Sequence, residues 1–137
     1  MRILGLDVGS KTIGVAISDA LKLTAQGLRT ISWTEHDMSS ADDELAQIIQ
    51  KYEIEKIVIG LPKHMDGSIG ERGELTKIYA NRLEKKLGLP VLLIDERLST
   101  VAAEKTLLEA DMSRKKRKNV IDKIAAVMIL QSYLNQK

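Results

Sequence analysis

Short apolar runs and amphipathic stretches follow one another along the chain in an order that predicts three strands first, then alternating helices and strands. Ile3 to Leu6 is a compact apolar run ending at Asp7, a turn with Gly9 follows, and Ile13 to Ile17 reads as a second strand. Gly27 to Ile31 is a weaker third strand, and the short connections make these three an antiparallel meander. Ser39 and Ser40 are placed to cap the next helix, where Leu45, Ile48, Ile49 and Tyr52 recur on one face. Ile57 to Leu61 is a fourth strand, and the loop after it, Pro62 to Gly67, has its strongest turn signal at Asp66-Gly67. Ser68 and Glu71 have capping-box spacing ahead of a helix carrying Leu75, Ile78, Tyr79, Leu83 and Leu87. Gly88 and Pro90 mark the end of that helix. Val91 to Ile94 is a fifth strand, followed by Asp95, Glu96 and Arg97. A helix from about Val101 to Ala110, a basic run and a last helix from about Val120 to Leu134 complete the chain. The order is βββαβαβαα. A helical crossover between the fourth and fifth strands favours parallel pairing. The pattern therefore predicts an α/β domain over residues 1–137, with a mixed five-stranded sheet covered by helices.

Composition narrows the chemistry. A chain of 137 residues fits one domain. It contains no cysteine, which removes zinc–thiolate sites, thiol catalysis and disulfide scaffolds. The N-terminus lacks the long apolar core of a signal peptide. No apolar run approaches the ~18 residues of a membrane span. A cytoplasmic protein without a membrane partner is the expectation. Aromatic residues are 3% and phenylalanine is absent, so the core must be aliphatic and a base-stacking platform for single strands is disfavoured. The net charge of +2 says little by itself. Its distribution says more: Arg114, Lys115, Lys116, Arg117 and Lys118 are consecutive and suited to attract phosphates. The alternative for that run is a solvated loop before a helix, mobile without ligand because like charges repel.

The carboxylates carry the sharper signal. Asp7 ends a strand that should be central and covered on both faces, where a charge costs free energy unless a partner or metal offsets it. It is either a metal ligand or a turn-capping aspartate before Gly9 and Ser10. Asp122 shares a helix face with Ala125, Ala126, Ile129 and Tyr133. A favourable interaction with the helix N-terminus is the simpler account of it; a buried acidic position at the mouth of the sheet is the functional one. Asp95 and Glu96 follow the fifth strand, at the same sheet end as Asp7 if the strands are parallel, with Arg97 beside them as an ion-pair partner or an organiser of Glu96. Carboxylates converging from two strand ends and a helix would make an oxygen-rich site suited to Mg²⁺ or Mn²⁺. Such ions can stabilise attacking and leaving oxygens in phosphodiester cleavage. Lys11 and Lys63 flank this site as candidate phosphate contacts. His64 is either a proton-transfer aid or an exposed loop histidine.

Four segments also resemble a known family. They are Asp7-Val-Gly-Ser-Lys11 with Gly14-Val-Ala-Ile-Ser-Asp19; Gly60-Leu-Pro62 with Asp66-Gly67-Ser68; Asp95-Glu-Arg-Leu-Ser-Thr100; and Asp122-Lys-Ile-Ala-Ala126 with Ile129-Leu130 and Tyr133-Leu134. Together and in this order they resemble the YqgF, or RuvX, family of pre-16S rRNA nucleases, relatives of the RuvC Holliday-junction resolvases. The resemblance implies an RNase H-like fold with strand order 3-2-1-4-5 and a role in maturing the 5′ end of 16S rRNA. It implies Asp7, Glu96 and Asp122 as catalytic acids and metal ligands, with Asp95 as alternate. Apart from the resemblance, Lys11, Lys63, Arg97 and Arg114 to Lys118 are the candidate nucleic-acid contacts. The expected partner is precursor rRNA, free or in a pre-ribosomal particle, bound by a monomer or weak homodimer. One departure from the RuvC pattern stands out: the fourth strand ends Gly60-Leu61-Pro62, with no carboxylate where that relative places one. Glu96 or Asp95 must then serve from the neighbouring strand. Rival readings are a DNA junction endonuclease, a ribosome-assembly or RNA-binding factor that does not cut, and an ATP-handling protein of the actin, Hsp70 and sugar-kinase group. The last shares the Asp7-Val-Gly-Ser10 hairpin but needs two such domains.

Overall fold

The computed structural model describes residues 1–96 and the backbone of 114–136, with side chains from Lys123 onward. Five strands form one sheet: β1 (Arg2–Val8), β2 (Thr12–Ser18), β3 (Ala25–Ser32), β4 (Ile54–Leu61) and β5 (Val91–Asp95), in the order β3-β2-β1-β4-β5. β1 pairs antiparallel with β2, and β2 with β3, whereas β4 runs parallel to β1 and to β5. This is the mixed sheet that the apolar pattern predicts, in the strand order that the family resemblance implies. β1 and β2 are buried along almost their whole length because both sheet faces are covered there. β3 and β5, at the edges, are not.

Alternation along the strands divides the core in two. Leu4, Leu6, Ile13, Val15, Ile57 and Ile59 pack toward α1 (Asp42–Tyr52) and α2 (Glu71–Leu87), through Leu45, Ile48, Tyr79 and Leu83. Ile3, Ala16, Val58 and Ile94 pack on the other face against Ala125, Ala126, Ile129, Leu130 and Leu134 of α3 (Arg114–Leu134). That helix lies close to the sheet because Gly5 has no side chain: a Cβ there would sit 2.7 Å from the Cβ of Leu130. Arg82 makes a two-pronged ion pair with Asp42, at 2.8 and 2.6 Å, and ties α2 to the first turn of α1.

Several local expectations need correction. Neither predicted serine cap forms. α1 begins after Ala41, while Ser39 bonds Asp37 and Ser40 bonds Thr34, so both hydroxyls serve the preceding turn. α2 begins after Gly70, because Ser68 is taken up by Asp66 in an Asx turn. The exposed His64 imidazole rests on Gly70, where a Cβ would meet it at 2.6 Å and push it aside. Ile78, assigned to the apolar face of α2, is 59% exposed. The basic run Arg114 to Lys118, expected as a loop, has helical backbone, so α3 starts earlier than the apolar pattern suggested. The helix expected from Val101 to Ala110, and Arg97, lie outside the described residues.

Candidate metal and phosphate site

The parallel pairing of β1, β4 and β5 brings their C-terminal ends to one edge of the sheet. Asp7 pairs with Gly14 across the β1–β2 ladder. It is only 7% exposed and shares the strand face of Ile3 and Gly5, which is covered by α3. The register Leu6↔Ile59 sets Gly60 alongside Asp7, and Gly60 in turn pairs with Ile94 of β5.

That register separates Asp95 from Glu96. Ile94 packs against α3, so alternation sends Asp95 to the opposite face. Asp95 there forms an ion pair with Lys63, at 3.5 Å. Glu96, one residue further, returns toward α3, and its side chain lies across Gly60. A Cβ on Gly60 would sit 2.8 Å from Glu96 Oε1, 3.0 Å from its Cγ and 2.4 Å from Cδ1 of Ile129. The missing side chain at Gly60 leaves room for Glu96 to lie over β4, the strand next to Asp7.

α3 covers this face. Ala126 lies over Gly5, with its carbonyl 3.2 Å from where a Cβ would stand. Position 122 is one helical turn before Ala126, and Asp7 is two strand residues beyond Gly5. Each step is roughly 6 Å along its element. Ile129 lies at Gly60 and Tyr133 bonds Lys56, so α3 runs antiparallel to β4 and β1, and the backbone of Asp122 lies toward the Asp7 end of the sheet; its side chain lies outside the described residues. Among the described residues no group of three metal-ligating side chains is complete.

The cations are arranged around the same edge. Lys11 is exposed in the β1–β2 turn. Lys63 is tied to Asp95, whereas His64 is exposed and packs its ring on Gly70. Pro62, Lys63, His64 and Arg72 line a cleft of about 310 Å³ between the β4–α2 loop and the first turn of α2. In this loop the hydroxyl and amide of Ser68 hold the Asp66 carboxyl below its usual range. The side chains of Arg114 to Lys118 lie outside the described residues.

Two residues at this edge escaped the sequence. Trp33 donates its indole N–H to the Gly9 carbonyl at 2.9 Å, and Arg72 donates to the Val8 carbonyl at 3.2 Å. Both contacts cross long stretches of chain, and neither residue falls in a motif. The solitary tryptophan, just beyond a weak strand, was the one available signal.

Comparison with known proteins places this arrangement. The family model described as "RuvX: Holliday junction resolvase" matches residues 1–136. A protein of Oceanobacillus iheyensis named "Putative pre-16S rRNA nuclease" is 68% identical over 137 residues, covering 100% of both chains. A Listeria monocytogenes protein of the same name is 62% identical, covering 98% of both. Among solved structures, Thermus thermophilus RuvC in complex with a Holliday junction substrate aligns with a TM-score of 0.60 at 10% identity, covering 98% of this chain and 95% of that one. The fowlpox virus Holliday junction resolvase aligns at 0.54 and 15%, covering 98% of each chain. These structural likenesses place the sheet and its helices in the RuvC-like RNase H fold. With the family model matching nearly the whole chain, the protein belongs to the RuvX family.

Proposed function

We propose that this protein is a divalent-metal-dependent nuclease that trims the 5′ end of precursor 16S rRNA in the cytoplasm, acting as a single domain. The observation that carries the reading is that Asp7 is buried at the end of β1 while Glu96, from β5, lies over Gly60, which the register sets beside Asp7. Two acids brought to one covered edge of a sheet cost stability unless a cation or proton offsets their charge. Their donor set is oxygen alone, which fits Mg²⁺ or Mn²⁺ and not a softer metal. Asp7 and Glu96, with Asp122 joining from α3, would hold the ion or ions. Bound there, the metal supplies charge stabilisation on a phosphodiester and a more acidic water.

The chain's own residues contribute the rest. Burial of Asp7 against α3 fixes its carboxylate and excludes bulk water from that side. Gly60 leaves Glu96 room to lie over β4. Lys11, exposed at the turn, and Lys63 at the next loop offer cations to flanking phosphates, and the Asp95 ion pair restrains Lys63. Asp95 then serves as the partner of Lys63 and Glu96 as the ligand. Arg97 and Arg114 to Lys118 extend the phosphate contacts along the RNA. Pre-16S rRNA is favoured over junction DNA because relatives matching the chain end to end at 62–68% identity carry the rRNA name, whereas the junction-bound structure is 10% identical. The described residues contain no helix long and apolar enough to cross a membrane.

The test is cleavage of a precursor 16S rRNA fragment in Mg²⁺ and Mn²⁺ by wild type and Asp7→Asn. Asparagine keeps the side-chain shape but removes the charge, so cleavage is expected to fall about 10²–10³-fold. RNA affinity should persist, because the cationic surface is intact. Wild-type cleavage by Asp7→Asn would eliminate Asp7 as an essential ligand. A wild type that binds RNA and cuts nothing in either metal would make the protein an assembly factor.

A further inference from the structure

The turn that follows Asp7 is held from outside its own hairpin. The indole N–H of Trp33 donates to the Gly9 carbonyl at 2.9 Å, and the backbone N–H of Trp33 donates to the Lys11 carbonyl at 3.0 Å. Arg72, on the first turn of α2, donates one guanidinium N–H to the Val8 carbonyl at 3.2 Å and pairs with the Glu35 carboxylate through another nitrogen. The carbonyls of Val8, Gly9 and Lys11 are therefore gripped by the chain just beyond β3 and by α2.

The donors are themselves immobilised. Trp33 is 7% exposed, and its ring lies 4.7 Å from that of Tyr79, which is fully buried. The apolar body of the indole is locked in the core, and its one polar atom is aimed at the turn. Arg72 is fixed at its other side by Glu35, two residues from Trp33. The turn needs such support: Gly9 and the exposed Ser10 and Lys11 bring no apolar side chain to anchor it.

We propose that Trp33 and Arg72 are positioning residues that fix the Asp7 carboxylate and the Lys11 ammonium relative to Glu96. Neither touches the reacting atoms; both act through the backbone of residues 8–11. This inference rests on the carboxylate site proposed above, and it links that site to the core through Trp33 and to α2 through Arg72.

The test compares wild type with Trp33→Phe, which keeps an aromatic ring and loses the N–H, with Arg72→Gln, and with Arg72→Lys as the conservative rescue. Amide exchange at Gly9 to Thr12, Mn²⁺ affinity by calorimetry, and kcat and KM on the precursor fragment are measured on each. Loss of one clamping hydrogen bond should speed exchange at the turn about tenfold, with Ile57 to Ile59 of β4 unchanged. Mn²⁺ affinity and kcat should each fall about tenfold while KM stays within roughly twofold. Arg72→Lys should recover part of both. If Trp33→Phe does not fold, Arg72→Gln carries the test, because the Arg72 side chain is 41% exposed and its loss leaves the core filled. Variants that loosen the turn yet keep wild-type Mn²⁺ affinity and kcat would overturn the proposal and leave the carboxylate site standing. So would variants whose turn exchanges at the wild-type rate. A wild type that binds no Mn²⁺ and cuts no RNA would overturn the carboxylate site, and the clamp's positioning role with it.

Discussion

Substituting Gly60 by alanine adds one methyl group at the point where Glu96 crosses the sheet. Its Cβ would stand 2.4 Å from Cδ1 of Ile129, 2.8 Å from Oε1 of Glu96 and 3.0 Å from Glu96 Cγ. Backbone conformation is not the obstacle, since the positive-φ glycines among the described residues are Gly67 and Gly88. Space is. Ile129, on the sheet-facing side of α3, is fully buried and has nowhere to go, whereas Glu96 is partly exposed and can swing away. The methyl should therefore displace the carboxylate. Overpacking of this kind costs about 1–3 kcal/mol of stability. Moving a site group by an ångström can cost about 10²-fold in rate. Gly27→Ala is the control. Its Cβ would lie against the same helix at ordinary contact distance, 3.6 Å from Cβ of Lys123 and away from Glu96. Cleavage of the precursor fragment, measured where circular dichroism shows all proteins folded, should fall about 10²-fold for Gly60→Ala and stay near wild type for Gly27→Ala. Equal losses in the two variants, or a wild-type rate in Gly60→Ala, would refute the reasoning.

Neutralising Arg114 to Lys118 to glutamine should weaken RNA binding across sequences and flatten the plot of log affinity against log salt by about 0.7–0.9 for each phosphate no longer neutralised; an unchanged slope would remove the run from the interface. Asp7→Asn should melt no lower than wild type without metal, because a charge buried at the sheet end has been removed, and a large drop in Tm would assign Asp7 a structural role. Tyr79→Phe removes a buried hydroxyl that has no hydrogen-bond partner among the described residues, and should raise stability by about 1 kcal/mol in denaturant titration; destabilisation would reveal a partner. Acid should unfold the protein partly through turn carboxylates. Backbone N–H groups of Thr24 and Leu23 hold Asp19 below the ordinary value of 3.8, and Ser68 does the same for Asp66. A depressed folded-state pKa gives stability that is present above the unfolded value and lost as pH falls through the lower, folded one. The Tm difference between wild type and Asp19→Asn should therefore be constant near neutrality and shrink below pH 3.8; a difference independent of pH would contradict the assignment.

The fold was legible because each strand and helix kept its own period. Ile57 to Leu61 and the Leu45, Ile48, Tyr52 face follow from patterning alone, and one order of elements then allows few sheets. The helix starts were not legible. Ser39, Ser40 and Ser68 have capping chemistry, but a serine can serve a turn as well as a helix, and nearby Thr34, Asp37 and Asp66 decide which. The start of α3 was hidden for a related reason: lysine and arginine are good helix formers, yet a run of them carries no apolar period to reveal the helix. At the site, Asp7 stood out as a charge ending a buried strand. The choice between Asp95 and Glu96 did not, because it depends on which face β5 turns to α3, and so on the register Gly60↔Ile94. Gly60 reads in sequence only as a position within the fourth strand; the space it leaves appears only when Glu96 and Ile129 are seen around it. Trp33 and Arg72 were invisible because their contacts to Gly9 and Val8 span 24 and 64 residues.

The most direct measurement is anomalous diffraction at the manganese edge from crystals grown with Mn²⁺, collected on wild type and on Asp7→Asn. The prediction is a peak between β1, β5 and α3, with oxygens of Asp7, Glu96 and Asp122 at about 2.0–2.4 Å from it, reduced or absent in the variant. Manganese bound through Asp95 and Lys63's loop instead, or no peak within reach of Asp7 and Glu96 at saturating Mn²⁺, would contradict the assignment of this edge as a metal-dependent nuclease site.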